Sequence, residues 1–233
     1  MAQYFETLSS AGQSLVMIDD TFRNLALTAT GVATSSVQYG NFEARSADIA
    51  VSGHDPVIAV QSTLPAALAT KRWNGSQWVF TVVTATGGSF RYFIYDRPDQ
   101  VAPQYLVIRN AQGEVVFNGA QKYLRVVTPL NDYVDLAPGR SYALLLGNST
   151  ANGQRVSGYI GAAPAPVLTQ TYVYMRGGRI ANSAAGTPAA AVSNMTLFQN
   201  FVRDDSPNAQ PVPNYGYGSL TANILVVDVT NFI

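Results

Sequence analysis

The feature that most constrains this chain is its period. Residues 92–95, 105–108, 115–117, 142–146, 172–174 and 224–229 are short runs of β-branched, aliphatic or aromatic side chains. Gly, Asn, Pro or Ser interrupts them about every 8–12 residues, the spacing of strands and turns in a β-sandwich or barrel. Helix signals are few. Residues 65–73 have room for two turns, and Gly186 and Pro188 break the Ala-rich stretch 184–192. The expected class is all-β: antiparallel β-sandwich units built from hairpins and meanders.

Three hairpins can be placed. Asn74-Gly75 lies between Trp73 and Trp78, and Asn-Gly is the strongest two-residue turn signal because both central positions need φ > 0. Residues 110–113 and 9–12 form two more turns, with Gly113 and Gly12 placed to take the left-handed position beside a bulge. These two look like copies. Tyr4 stands eight residues before Gly12, and Tyr105 eight before Gly113. Each reads strand, small polar turn, strand, polar gap, strand. That suggests either two related β units or two halves of one sandwich, against the alternative that short hairpins converge. The pairs Gly87-Gly88 and Gly177-Gly178 follow strand-like runs and precede no helix, so they read as hairpin turns, not phosphate loops.

Domain boundaries follow from composition. Alternating Ala and Pro in residues 161–166 favour an extended, semi-rigid linker. The expectation is a sandwich domain over 1–160, with halves 1–88 and 89–160, and a small C-terminal β domain over 167–233.

Composition excludes several chemistries. There is no Cys, so disulfides, thiolate metal sites and Cys nucleophiles are absent. His54 is the one histidine, which rules out a multi-His metal site within the chain. Fourteen basic residues balance fourteen acidic ones, so no electrostatic grip on nucleic acid is expected. No apolar run exceeds five residues, too short for a membrane helix, and no apolar stretch follows Met1, which argues against a signal peptide. Charged residues are only 12%, against about 25% in ordinary domains. The neutral polar residues that replace them make a surface cheap to desolvate, suited to contact with other protein copies. Twelve of the basic residues are Arg and two are Lys, a skew that fits interfaces or a GC-rich codon usage.

The two repeated hairpins also carry a resemblance. The opening YFETLSSAGQSLVMIDDTFRNLAL looks like the start of small minor tail and tail-tip proteins of long-tailed bacteriophages. The block FRYFIYDRPDQVAPQYLVIRNAQGEVVFNGAQKYLRVV is similar to a recurring element of the same proteins: an aromatic strand, a polar gap, a strand, an Asn-x-x-Gly turn and a strand ending in Val-Phe. The family often has Tyr-Gly-Leu where Tyr105-Leu106 stands here. It often has Ser where Gly119 follows Asn118. The resemblance implies a non-enzymatic virion protein of the tail tip or baseplate, made in the bacterial cytoplasm and joined to the hub or tail fibre. It implies homo-oligomers, with a trimer expected because such tips narrow to threefold fibres. It carries no catalytic residues.

Candidate sites are few. His54 and Asp55 are adjacent in an extended segment and point apart, so they make a poor dyad, and His54 reads as a loop residue. Asp19-Asp20, Asp132 with Asp135, and Asp204-Asp205 could contribute calcium ligands, but Asp-rich turns are mostly solvated or capping. No catalytic residue, metal or cofactor is expected. Aromatics are the best binding signal. Trp73 and Trp78 flank the Asn74-Gly75 turn, and Tyr215 and Tyr217 are spaced by Gly216. Either set could stack on sugars or fill a partner pocket, or simply close a hairpin. A carbohydrate-binding or adhesin module recognising host surface glycan is therefore the alternative function.

Overall fold

The computed structural model describes residues 4–8, 14–19, 24–98, 106–149, 151–160, 166–182, 186–206, 210–216, 222–230 and 232. Their regular structure is all strand. The first are β1 (Tyr4–Leu8), β2 (Ser14–Asp19), β3 (Ala26–Ser35), β4 (Val37–Gln38), β5 (Arg45–Val51) and β6 (Val57–Gln61). Then come β7 (Ala66–Trp73), β8 (Trp78–Thr84), β9 (Gly88–Asp96), β10 (Val107–Arg109), β11 (Val115–Asn118), β12 (Val126–Pro129) and β13 (Tyr133–Asp135). The rest are β14 (Tyr142–Ser149), β15 (Ala151–Tyr159), β16 (Val167–Asn182), β17 (Pro188–Asp204), β18 (Tyr215–Gly216) and β19 (Ala222–Asp228). The possible helix at 65–73 is β7: Leu68 packs inward and its neighbour Ala67 on the opposite face of the sheet, an alternation only a strand provides.

Two antiparallel layers make a sandwich. One runs β3-β9-β6-β14-β19-β12 and the other β4-β5-β8-β7-β16-β17-β13. Between them lies the main core, including Ile58, Val60, Phe80, Val82, Phe90, Ile94, Leu144 and Val226. Both layers also bury part of their outer faces. Ala67, Val83, Met175, Met195 and Leu197 cluster behind the second, and Ala59, Phe93, Tyr95, Ala143 and Val227 behind the first. Strands buried on both faces explain the continuous apolar runs. The segment before β12 ties the first layer's outer strands together at one end: Leu27 N donates to Lys122 O at 2.7 Å, Leu124 N to Leu25 O at 2.9 Å, and β12 itself pairs with β19.

The expected domain boundaries do not survive. β14 pairs with β19 from Tyr142↔Asp228 to Ser149↔Ala222, and Ala190 and Ile224 share a core with Ile49. Nor do 1–88 and 89–160 separate, because β9 is hydrogen-bonded to both β3 and β6. Residues 161–166 join the hairpin of β15 and β16, whose facing ends are closed by Ile160 N donating to Pro166 O at 2.7 Å.

The repeat is visible in the hydrogen bonding. Glu6↔Met17, Thr7↔Val16 and Leu8↔Ser14 recur as Val107↔Asn118, Ile108↔Phe117 and Arg109↔Val115, each number raised by 101, with the register shift at the same step. The meander stops at two strands, however. β3 and β12, which follow the hairpins, pair with β9 and β19 instead. Gly113 has φ of 80° and closes its turn with its N–H on Asn110 O at 2.9 Å. Gly12 lies outside the described residues.

Gly177-Gly178 is not a turn. It sits inside β16, opposite Ser193 and Val192 of β17. A Cβ on Gly178 would stand 2.5 Å from Leu144 Cδ1, and one on Gly177 would stand 2.9 Å from Ala66 O. The absent side chains let the β16–β17 hairpin press onto β7 and β14. Gly87-Gly88 leads from β8 in one layer to β9 in the other, so it is a crossover, not a hairpin.

Candidate functional site

The tip of the β7–β8 hairpin gathers Trp73, Gly75 and Trp78, with His54 close by. Trp73 and Trp78 pair directly across the strands, and residues 74–77 form the loop. The turn is thus four residues, not two. Asn74 is the reason: its N–H donates to Gln77 O at 3.0 Å, while its Oδ1 accepts from Ser76 N at 3.0 Å and Gln77 N at 2.8 Å. Its side chain imitates a further turn of backbone, and Gly75 takes φ of 102°.

The indoles meet edge to face, 5.6 Å between centroids at 61°. Such a contact contributes about 0.5–1.5 kcal/mol beyond area burial. The two rings are not equivalent. Trp78 packs against the main core and donates Nε1–H to His54 O at 3.3 Å. Lys71 Nζ lies 4.6 Å from its ring centroid and pairs with Asp55. Trp73 remains 50% exposed and presents the only free indole face of the tip.

The loop carrying His54 is held from below. Asp96, 4% exposed, accepts His54 N at 2.6 Å, Asp55 N at 3.3 Å and Arg97 N at 2.7 Å. A Cβ on Gly53 would fall 2.3 Å from Asp96 Oδ2. A buried carboxylate thus organises a turn by accepting backbone donors. Asp55 is engaged by Lys71, and Asp48 by Arg72 at 3.0 Å and the Thr81 hydroxyl at 2.6 Å. Neither carboxylate is paired with His54. The other acidic candidates are also dispersed. Asp132 pairs with Arg176, Asp135 accepts the Tyr133 hydroxyl at 2.7 Å, and Asp205 accepts Arg203 Nε at 2.7 Å. Ser206, donating from its hydroxyl and its N–H, holds the Asp204 carboxyl below its ordinary value. Asp20 lies outside the described residues. Among the described residues no group of three or more His or carboxylate side chains could hold a metal ion.

The second aromatic candidate does not join the first. Tyr215 belongs to β18 and pairs with Arg155 of β15, so β15 and β16 separate it from β7 in hydrogen-bonding order. Tyr217 lies outside the described residues. Two grooves, about 480 and 440 Å³, open elsewhere, one beside Val32, Gln61 and Asn182 and one beside Pro129, Leu145 and Asn223, and neither Trp lines them.

Two features escape sequence reasoning. One is an arm made of β15, residues 167–174 of β16 and residues 198–204 of β17. Tyr172 stacks on Tyr174 at 5.7 Å and meets Phe201 edge-on at 6.3 Å. Val156, Phe201 and Val202 are exposed there. Burial and then the neighbouring Tyr172 hydroxyl push the Tyr174 hydroxyl above its ordinary value. The other is a buried charge cluster. Burial raises the Asp228 carboxyl, but Thr230, Arg140 at 2.6 Å and Arg125 at 4.0 Å more than offset it, leaving it below the ordinary carboxylate range. Beside it, Tyr95 is fully buried with an unpartnered hydroxyl, which burial and the Asp228 charge push far up. The available signal was Asp228-Val229-Thr230, an Asp with a hydroxyl two residues on.

No helix among the described residues is long and apolar enough to cross a membrane. Comparison with family models, curated proteins and solved structures returns no match for this chain.

Proposed function

We propose that this chain is a non-enzymatic structural protein of a phage virion, placed at the tail tip or baseplate, where it joins the hub or tail fibre and aids host attachment. The observation that carries the reading is the β15–β16–β17 arm. Val156 and Phe201, both opposite Gln170, are exposed on one face of this sheet, and exposed apolar side chains grouped on one face mark a surface meant for another protein. Two further features support it: the hairpins that resemble tail-tip proteins, and a surface with little charge. On this reading the chain is made in the host cytoplasm and ends in the particle. Cryo-electron microscopy of purified particles tests it. Density for the chain at the tail tip, with Phe201 and Tyr172 against a neighbouring protein, is the expected result. Absence from the particle, or density outside the tail, refutes it.

Glycan binding is the second reading, favoured by the free face of Trp73. A single exposed indole offers one stacking platform. Retention on a host-glycan array that is lost in Trp73→Ala would establish it.

A further inference from the structure

We propose that β3 is the seam along which two copies of this chain join, by antiparallel pairing of its outer edge with the same edge of a second copy about a twofold axis beside Val32. The direction of the backbone groups carries this. The Thr28 and Thr30 hydroxyls donate to Ile94 O at 3.3 Å and Tyr92 O at 3.0 Å, so those β9 carbonyls face β3. Gly31 stands opposite Tyr92 and is the residue that exchanges bonds with it. By alternation Thr30, Val32 and Thr34 turn their N–H and C=O groups outward.

Among the described residues, no backbone hydrogen bond reaches that edge between Thr28 and Thr34. Such bonds resume at its ends, Leu27 N to Lys122 O and Ser36 N to Ser46 O. The strand ALTATGVATS has no charged residue and no proline. Its alternate residues Thr28, Thr30, Val32 and Thr34 are exposed, Val32 to 65%. A long, uncharged, proline-free edge is a template for another strand. The corresponding edge of β17 is closed by β13, by Asp132 O on Val192 N, and by Asn41, which bonds Leu197 O and both backbone groups of Gln199.

A second copy is the occupant that fits, because the edge is complementary to itself. With the axis beside Val32, Val32 faces its own counterpart and Thr30 faces Thr34 of the second copy. All three pairs join outward-facing residues, roughly six hydrogen bonds in all. Side chains opposite one another are Val with Val and Thr with Thr, with no like charges to repel. Such a contact closes on itself and yields a dimer, in place of the trimer implied by the resemblance. The proposal is independent of the virion reading, since the isolated chain tests it.

The experiment is sedimentation equilibrium of wild type and variants at up to about 100 µM, a range that captures even weak association. Wild type should be a dimer. Val32→Pro should associate at least about tenfold more weakly, because the ring removes an outward N–H and no bond within the copy. Val32→Lys, which places charge against charge at the axis, should do the same and decides the matter if the proline variant does not fold. The chain lacks Cys, so Val32→Cys supplies one thiol per copy. Two such thiols at the axis, with Cα atoms about 5.5 Å apart, should oxidise to a disulfide dimer, whereas Val127→Cys should not. A monomeric wild type, as when another segment of the same chain covers β3, overturns the proposal. So does a trimer, or a dimer untouched by both Val32 substitutions.

Discussion

Strands β16 and β17 each live in two environments. Over residues 175–182 and 188–197 the hairpin lies on the sandwich, where Met175, Ala190 and Met195 are buried and Gly178 fits under Leu144 and Ile224. Over residues 168–174 and 198–204 the same strands, paired again beyond a bulge that leaves Leu197 unmatched between Val173↔Phe198 and Tyr174↔Thr196, carry half-buried and exposed side chains. Pairing continues past that bulge to the end of the hairpin; burial does not. Pairing alone therefore says little about which part of a sheet holds a protein together. The stabilising half is the one that a second layer covers.

Substitutions can break or sharpen that contrast. Leu144→Ala, in β14 under the buried half, should lower unfolding free energy by about 2–5 kcal/mol in a urea melt, since it combines lost burial with a cavity. Gly178→Val should cost about 1–3 kcal/mol by overpacking against Leu144 and Ile224. Equal stability of either variant with wild type would place the load elsewhere. At the boundary between the halves, Asn41→Ala removes the side chain that caps Gln199, and should cost about 0.5–1.5 kcal/mol. Hydrogen exchange at residues 197–199 should then rise towards the arm's rate. In the arm, Phe201→Ser should change stability by less than about 0.5 kcal/mol and, on the proposed virion reading, weaken capture by tail proteins.

The sandwich has a buried pH-sensitive carboxylate in Asp228 of β19, whereas the carboxylate that Ser206 holds low in the arm, Asp204, is exposed. Asp228 titrates below its unfolded value of about 3.9, so its contribution is full above that pH and is lost as pH falls through the lower folded value. Thermal melts between about pH 5 and pH 2 should therefore fall more steeply for wild type than for Asp228→Asn. Parallel curves would show that the carboxylate is not coupled to folding.

Much of the local structure was legible in the sequence. Alternation marked most strands, and Gly113 marked its turn. Even the 101-residue repeat reappears as identical register in β1–β2 and β10–β11. The aromatic tip was half legible: a hairpin at Asn74-Gly75 follows from the sequence, but the four-residue loop that pairs Trp73 with Trp78 rests on the Asn74 side chain, and which indole stays free depends on His54 and Lys71, which meet Trp78 only in the folded chain.

What the sequence determined by itself is the set of properties that neighbours along the chain decide: strand or turn, the sign of φ at a glycine, the absence of thiols, the scarcity of charge. Only the tertiary structure decided that β14 pairs with β19 across the Ala/Pro segment, that Gly177-Gly178 lies within a strand, and that β17 has a capped edge while, among the described residues, none bonds the outer edge of β3 between Thr28 and Thr34. Those choices depend on which faces can be buried together. A two-residue period names the faces of every strand and is silent about which other strand will cover them.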